Sequence, residues 1–288
     1  MAILPAGVLN RAPVRALRNA TSIARVLATP GLDTEEKRAC WRFFRDAWGY
    51  RRLVASLPRS GFHYATLVLT VALDLARGGD GEYAYFRDTW ALRGCHQYRP
   101  LDWRFPLDRI DYDEGYLEPL ILHTHMPYYQ VPCRRVDAMR TVLMIRNPWD
   151  SLESQLFREG YGRDRQDAFI EDGFVDKAIA FLEAWGARAA VSELVHVVRY
   201  EDLMRAPAET LSAMADHWQL DIDRPTLAEA LARTTRDEMR RRIPTDRAEA
   251  NPRVSFRDDG PAFSERNRQR IAAMLSRGLH HRFGYTDI

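Results

Sequence analysis

The sequence predicts an α/β fold, a parallel central sheet flanked by helices on both faces. Short apolar runs at residues 52–57 (RLVASL), 141–145 (TVLMI) and 194–198 (LVHVV) are each followed by helical patterning. Strands this apolar need cover on both sides, which crossover helices supply. The 288 residues, 46% apolar and 28% charged, have the composition of an ordinary globular chain long enough to bury a full core.

Taken in order, Asp33 and Thr34 before Glu35 and Glu36 mark a helix start, with the helix running to about Gly49. Residues 1–50 are thus expected to form an N-terminal helical segment. Arg11, Arg15, Arg18 and Arg25 fall among its first 32 residues without one acid. That pattern suits a transit peptide or an amphipathic surface helix, and the second is the reading taken. The run 52–57 is a strand, Pro58-Arg59-Ser60-Gly61 a tight loop and 62–77 a helix. Residues 120–122 supply a further strand. After 141–145, Arg146-Asn147-Pro148 opens a helix from about Trp149. A long helix over 165–190 precedes the strand at 194–198, and helices follow at 207–218, about 226–240 and 263–280. Eleven aromatic residues with poor periodicity lie between Gly81 and Gln130, which predicts an irregular insertion. No repeat or linker divides residues 51–288, so they form one domain.

Forty-two basic against forty acidic residues leave a net charge of +2. Bulk attraction to nucleic acid or to an anionic membrane is excluded, and any bound anion must be held locally. Cys40, Cys95 and Cys133 have neither zinc-ligand spacing nor an even count, which fits a reducing compartment. No apolar run approaches the roughly 18 residues of a membrane span, and the expected location is cytoplasmic.

Two loops carry the chemistry. Pro58-Arg59-Ser60-Gly61 sits between a strand and a helix N-terminus, where free amides and the helix dipole attract an anion. It lacks the Gly-Lys-Ser/Thr triplet of a Walker loop, so metal-assisted triphosphate chemistry is disfavoured and no metal site is expected. Arg146 at a second strand end and Ser154 in the next helix can converge on one phosphate. A third strand end brings His123 and His125 to the same edge, placed for proton transfer near neutral pH.

These residues, with Tyr200-Glu201-Asp202-Leu203, resemble in order and spacing the motifs of the PAPS-dependent sulfotransferases, from about Arg51 onward. The resemblance implies a P-loop NTPase-like fold and 3′-phosphoadenosine-5′-phosphosulfate (PAPS) as co-substrate, leaving PAP as product. It implies that Arg59, Ser60, Gly61, Phe62 and His63 hold the 5′-phosphosulfate, and that Arg146 and Ser154 hold the 3′-phosphate. Tyr64, Tyr200, Thr234 and Arg236 match adenine contacts, Arg257 a closing contact to the 3′-phosphate, and His125 the catalytic base. Several positions depart from the family pattern. Arg59 and His123 stand where lysines are usual, Phe62 and His63 where hydroxyls are usual, Arg236 where a ring is usual, and Asp258 where a Lys follows Arg257.

On this reading the chain transfers a sulfuryl group to a hydroxyl of a small molecule, glycoside or lipid. His125 acts as base, and Arg59 with His123 stabilises the transferring group. Residues 81–130 become an acceptor-side insertion, joined by 157–173. A P-loop-type small-molecule kinase and a nucleotide-binding scaffold without transfer activity are the alternatives. Acceptor and oligomeric state stay open.

Overall fold

The computed structural model describes residues 51–86, 89–92, 95–96, 99–100, 121–131, 136–243 and 262–286. The expected N-terminal helical segment, Cys40, Cys133 and the Arg257 loop lie outside the described residues.

The domain begins with β1 (Arg52–Ser56), the loop 57–61 and α1 (Phe62–Ala76). Strands β2 (Tyr83–Phe86), β3 (Thr89–Leu92) and β4 (Cys95–His96) form a separate antiparallel sheet in that order. The start of the aromatic region, expected to be irregular, is therefore a meander. β5 (Arg99–Pro100) and β6 (Ile121–Thr124) return to the main sheet. β7 (Arg140–Ile145) leads into α2 (Pro148–Arg158), α3 (Gln166–Glu171) and α4 (Phe174–Ala189). β8 (Val195–Arg199) is followed by α5 (Tyr200–Arg205), α6 (Pro207–Trp218), α7 (Arg224–Arg233), α8 (Arg236–Arg241) and α9 (Glu265–Gly278).

The five-stranded sheet runs β5-β6-β1-β7-β8 with every pairing parallel, as the apolar runs predicted. Alternation along β1 divides the core. Leu53 and Ala55, with Leu122 and Leu143, pack towards Leu152 of α2, Trp185 of α4 and Ile271 of α9. Val54, with Ile121, Val142 and Met144, packs towards Val68 of α1, Trp218 of α6 and Leu227 of α7. Both faces are covered, and the strand ends at β6, β1 and β7 form one edge where ligands of such sheets bind.

Two expected helices are each divided. Gly173, at φ 77°, separates α3 from α4 in a conformation that suits glycine. Thr235 separates α7 from α8 because its hydroxyl caps the amide of Glu238 at 3.3 Å. Strand β6 also runs further than expected, through His123 to Thr124, which decides the environment of that histidine.

Trp185 links core to edge. Fully buried on α4, it donates its indole N–H to the carbonyl of Met126, beside His125, at 2.9 Å. Trp185→Phe removes that donor and part of the packing. Urea unfolding is expected to show a loss of about 1–3 kcal/mol; a change below about 0.5 kcal/mol would mean that the indole does not hold this turn.

Candidate active site

The loop after β1 is built as an anion cradle. Arg59 has φ 67° and Gly61 φ 84°, so the chain twice enters the left-handed region around Ser60, whose own amide turns back to the Leu57 carbonyl at 3.2 Å. Gly61 is the N-cap of α1, which has no side-chain cap and no acid in its first turn. The positive end of the helix is left for a ligand. A Cβ on Gly61 would lie 2.8 Å from the Tyr200 ring, so glycine is required by space as well as by φ.

The loop after β7 lies alongside. Pairing of Ser56 with Met144 is extended by Leu57 N–H to the Met144 carbonyl at 2.9 Å, which holds both strand exits at one level. Helix α2 ties the loops together. Ser151 donates to the Pro58 carbonyl at 2.6 Å, and Arg59 Nε donates to Ser154 Oγ at 2.8 Å. Arg146 donates to the Arg59 carbonyl at 3.4 Å, pairs with Asp150 at 3.6 Å and lies 4.6 Å over the Tyr200 ring. Arg59, Ser60, Gly61, Arg146, Ser154 and Tyr200 are thus one connected cluster. Ser60 Oγ and Arg146 Nε are buried and, among the described residues, have no hydrogen-bond partner. Two orphaned donors in a cationic cradle fit the oxygens of a phosphate or sulfate ester.

Two histidines on the neighbouring strand end have different surroundings. His123, still within β6, is 3% exposed and stacks on Phe62 with centroids 3.8 Å apart. Burial, followed by the nearby His125 and His63, holds its imidazole well below the ordinary range and therefore neutral. His125 lies just beyond the strand, partly exposed, with its ring edge-on to His123 at 4.4 Å. Its Nδ1 is 2.7 Å from the Ser56 carbonyl. A carbonyl only accepts, so Nδ1 carries the proton and the Nε2 lone pair is left available as a base.

Residues 53–257 match the sulfotransferase domain family. The chain belongs to that family. Its fold is similar to that of mouse sulfotransferase SULT7A1 complexed with PAP, at TM-score 0.53 and 16% identity over 85% of this chain and 89% of that one. It is also similar to retinol dehydratase in complex with androsterone and inactive cofactor PAP (TM-score 0.51, 14% identity, 83% and 82% covered). Retinol dehydratase in a complex with retinol and PAP aligns at TM-score 0.52 and 14% identity over 89% of this chain and 96% of that one. No curated protein sequence matches the chain.

The remaining expected residues of the sulfotransferase site are distributed as follows. His63 is partly exposed in the first turn of α1 and packs against Phe62 at 3.9 Å. Tyr64 is half-buried against the α1 side of the core, and desolvation pushes its hydroxyl upward. Thr234, at the end of α7, is fully buried and donates to the Ala230 carbonyl at 2.7 Å. Arg236 is exposed at the start of α8. His123 stands where a lysine is usual and, buried in β6, brings no positive charge near pH 7.

Glu201, named in the sequence only as part of the Tyr200–Leu203 motif, is a brace. Its carboxylate accepts from the Asn147 amide at 2.9 Å and from the Tyr285 hydroxyl at 2.6 Å, tying the Arg146 loop to the C-terminal region. Arg199 covers the Tyr285 ring at 4.6 Å. Ser56 and Ser151 were missed as well. Their signal was a polar residue closing an apolar strand and a second serine one turn before Ser154.

Burial of His123 has a thermodynamic consequence. A histidine kept neutral in the fold takes up a proton more readily when unfolded, so stability is full above about pH 6.5 and falls as pH drops below it. His196 and His217, also lowered by burial, act in the same direction. Thermal unfolding across pH 5–8 should show wild type losing stability on the acid side. His123→Asn should have a shallower acid dependence, and an equal slope in both would contradict the buried neutral state.

Proposed function

We propose that the chain is a PAPS-dependent sulfotransferase in which the Arg59–His63 loop and the Arg146–Ser154 pair grip the two phosphate ends of one bis-phosphorylated adenosine. The observation that carries this reading is the clamp in which Arg59 reaches Ser154 while Ser60 Oγ and Arg146 Nε are buried without partners. Family membership supplies the sulfuryl-transfer class, and two of the similar structures, which hold retinol or androsterone together with PAP, support a small hydroxylated acceptor.

When bound, the donor supplies an activated sulfuryl group on a phosphate leaving group. The protein contributes three things. Arg59, Ser60 and the amides at the start of α1 neutralise charge on the transferring group and on the departing phosphate, typically the largest catalytic component. Arg146 and Ser154 bind the 3′-phosphate, so ordinary adenosine 5′-phosphates are discriminated against by unpaired donors in the site. Tyr200, with Tyr64, Thr234 and Arg236, is assigned to the nucleoside, and Arg257 to the 3′-phosphate by its match to the family motif alone.

His125 Nε2 takes the proton of the acceptor hydroxyl as the oxygen attacks sulfur, an effect worth about 10²–10⁴-fold. This division of labour needs neither a Walker lysine nor a metal. Among the described residues no helix is long and apolar enough to cross a membrane.

Isothermal titration with PAP is expected to give saturable binding without Mg²⁺ and at least tenfold weaker binding of AMP. His125→Ala should bind PAP like wild type while turnover of labelled PAPS falls by at least about 100-fold. Equal affinity for AMP would remove the 3′-phosphate clamp. Undiminished turnover in His125→Ala would remove the base.

A further inference from the structure

Ser56 has no part in the reaction as proposed, although it touches both histidines. It closes β1 fully buried, the polar end of the run RLVAS. Its Oγ lies 2.9 Å from His123 Nε2 and 3.3 Å from His125 Nδ1, and its carbonyl lies 2.7 Å from the same His125 Nδ1. One residue therefore faces the back of His125 with both of its oxygens.

The direction of these hydrogen bonds follows from donor and acceptor counting. The carbonyl obliges His125 Nδ1 to carry hydrogen, so Ser56 Oγ can only accept from that ring. The Ser56 hydroxyl proton is then free to point at His123 Nε2, which accepts it as a neutral imidazole protonated on Nδ1. The chain reads His125 Nδ1–H to Ser56 Oγ–H to His123 Nε2. Phe62, stacked within 7° of parallel on His123 and edge-on to His125 at 5.5 Å, keeps the accepting ring from turning.

We infer that Ser56 is a positioning residue for His125, with its hydroxyl oriented by the buried His123–Phe62 pair so that two oxygens fix the His125 tautomer with Nε2 bare. The inference rests on the base role given to His125 in the proposed function. It also assigns His123 a task that needs no charge: acceptor for Ser56. When His125 takes the acceptor's proton, both Ser56 oxygens still face its Nδ1–H, so the ring keeps its orientation. The other titratable rings facing this group are His123 from β6 and His63 from α1.

The test joins a spectroscopic and a kinetic arm. In ¹⁵N-histidine-labelled protein, with the His125 signals assigned by their loss in His125→Asn, wild type should show Nδ1 protonated and Nε2 unprotonated above pH 7.5. A protonated Nε2 overturns the inference whether or not the chain transfers sulfuryl groups. In Ser56→Ala, kcat should fall roughly tenfold with KM for PAPS and affinity for PAP unchanged, and the His125 nitrogens should show a mixture of tautomers. Unchanged kcat, or an unchanged tautomer in the variant, overturns it. If wild type binds PAP yet transfers nothing, the functional reading fails while the tautomer measurement still decides the role of Ser56.

Discussion

Pairing of β1 with β7, carried one residue past the strand by Leu57 and Met144, is the contact on which the site depends. It places two loop openings side by side, and α2 then binds one loop to the other through Ser151 and Ser154. Each such hydrogen bond adds only about 1 kcal/mol net. Their importance is positional, because a cradle assembled before the ligand arrives loses less freedom on binding. Arg59 in the left-handed region costs about 1–2 kcal/mol, held there by its bond to Ser154 and by the Ser60 amide on the Leu57 carbonyl.

The short segment His-Thr-His shows how one strand end assigns two roles to one residue type. Position 123 is still in β6 and faces the α1 side, so it is desolvated, stacked and neutral. Two residues later the strand has ended, and His125 meets solvent on one edge and the Ser56 carbonyl on the other. Environment alone separates them. The aromatic Phe62 where a hydroxyl is usual and the imidazole where a lysine is usual form a matched pair: a flat apolar ring covers an uncharged flat ring.

Much of this was legible in the sequence because the informative features are local. Apolar runs closed by Pro58-Arg59-Ser60-Gly61 or by Arg146-Asn147-Pro148 announce strand, loop and helix within a few residues, and those loops meet as expected. What escaped notice depends on contacts remote in sequence or on conformation. The brace from Glu201 to Tyr285 joins residues 84 apart and has no local signature. Gly173 divides α3 from α4 by its φ value, which a tolerated helical glycine does not reveal beforehand. The meander of β2 to β4 was hidden because rings occupy both alternating positions, which blurs period two. Ser56 was visible only as one polar residue inside the apolar run 52–57.

Whether one nucleotide spans both loops is tested directly by a crystal structure with PAP bound. The 5′-phosphate should lie on the amides of residues 61–63 with Ser60 Oγ and Arg59 in contact, and the 3′-phosphate between Arg146 and Ser154. Density placed elsewhere, or a 3′-phosphate out of reach of Arg146, would contradict the account.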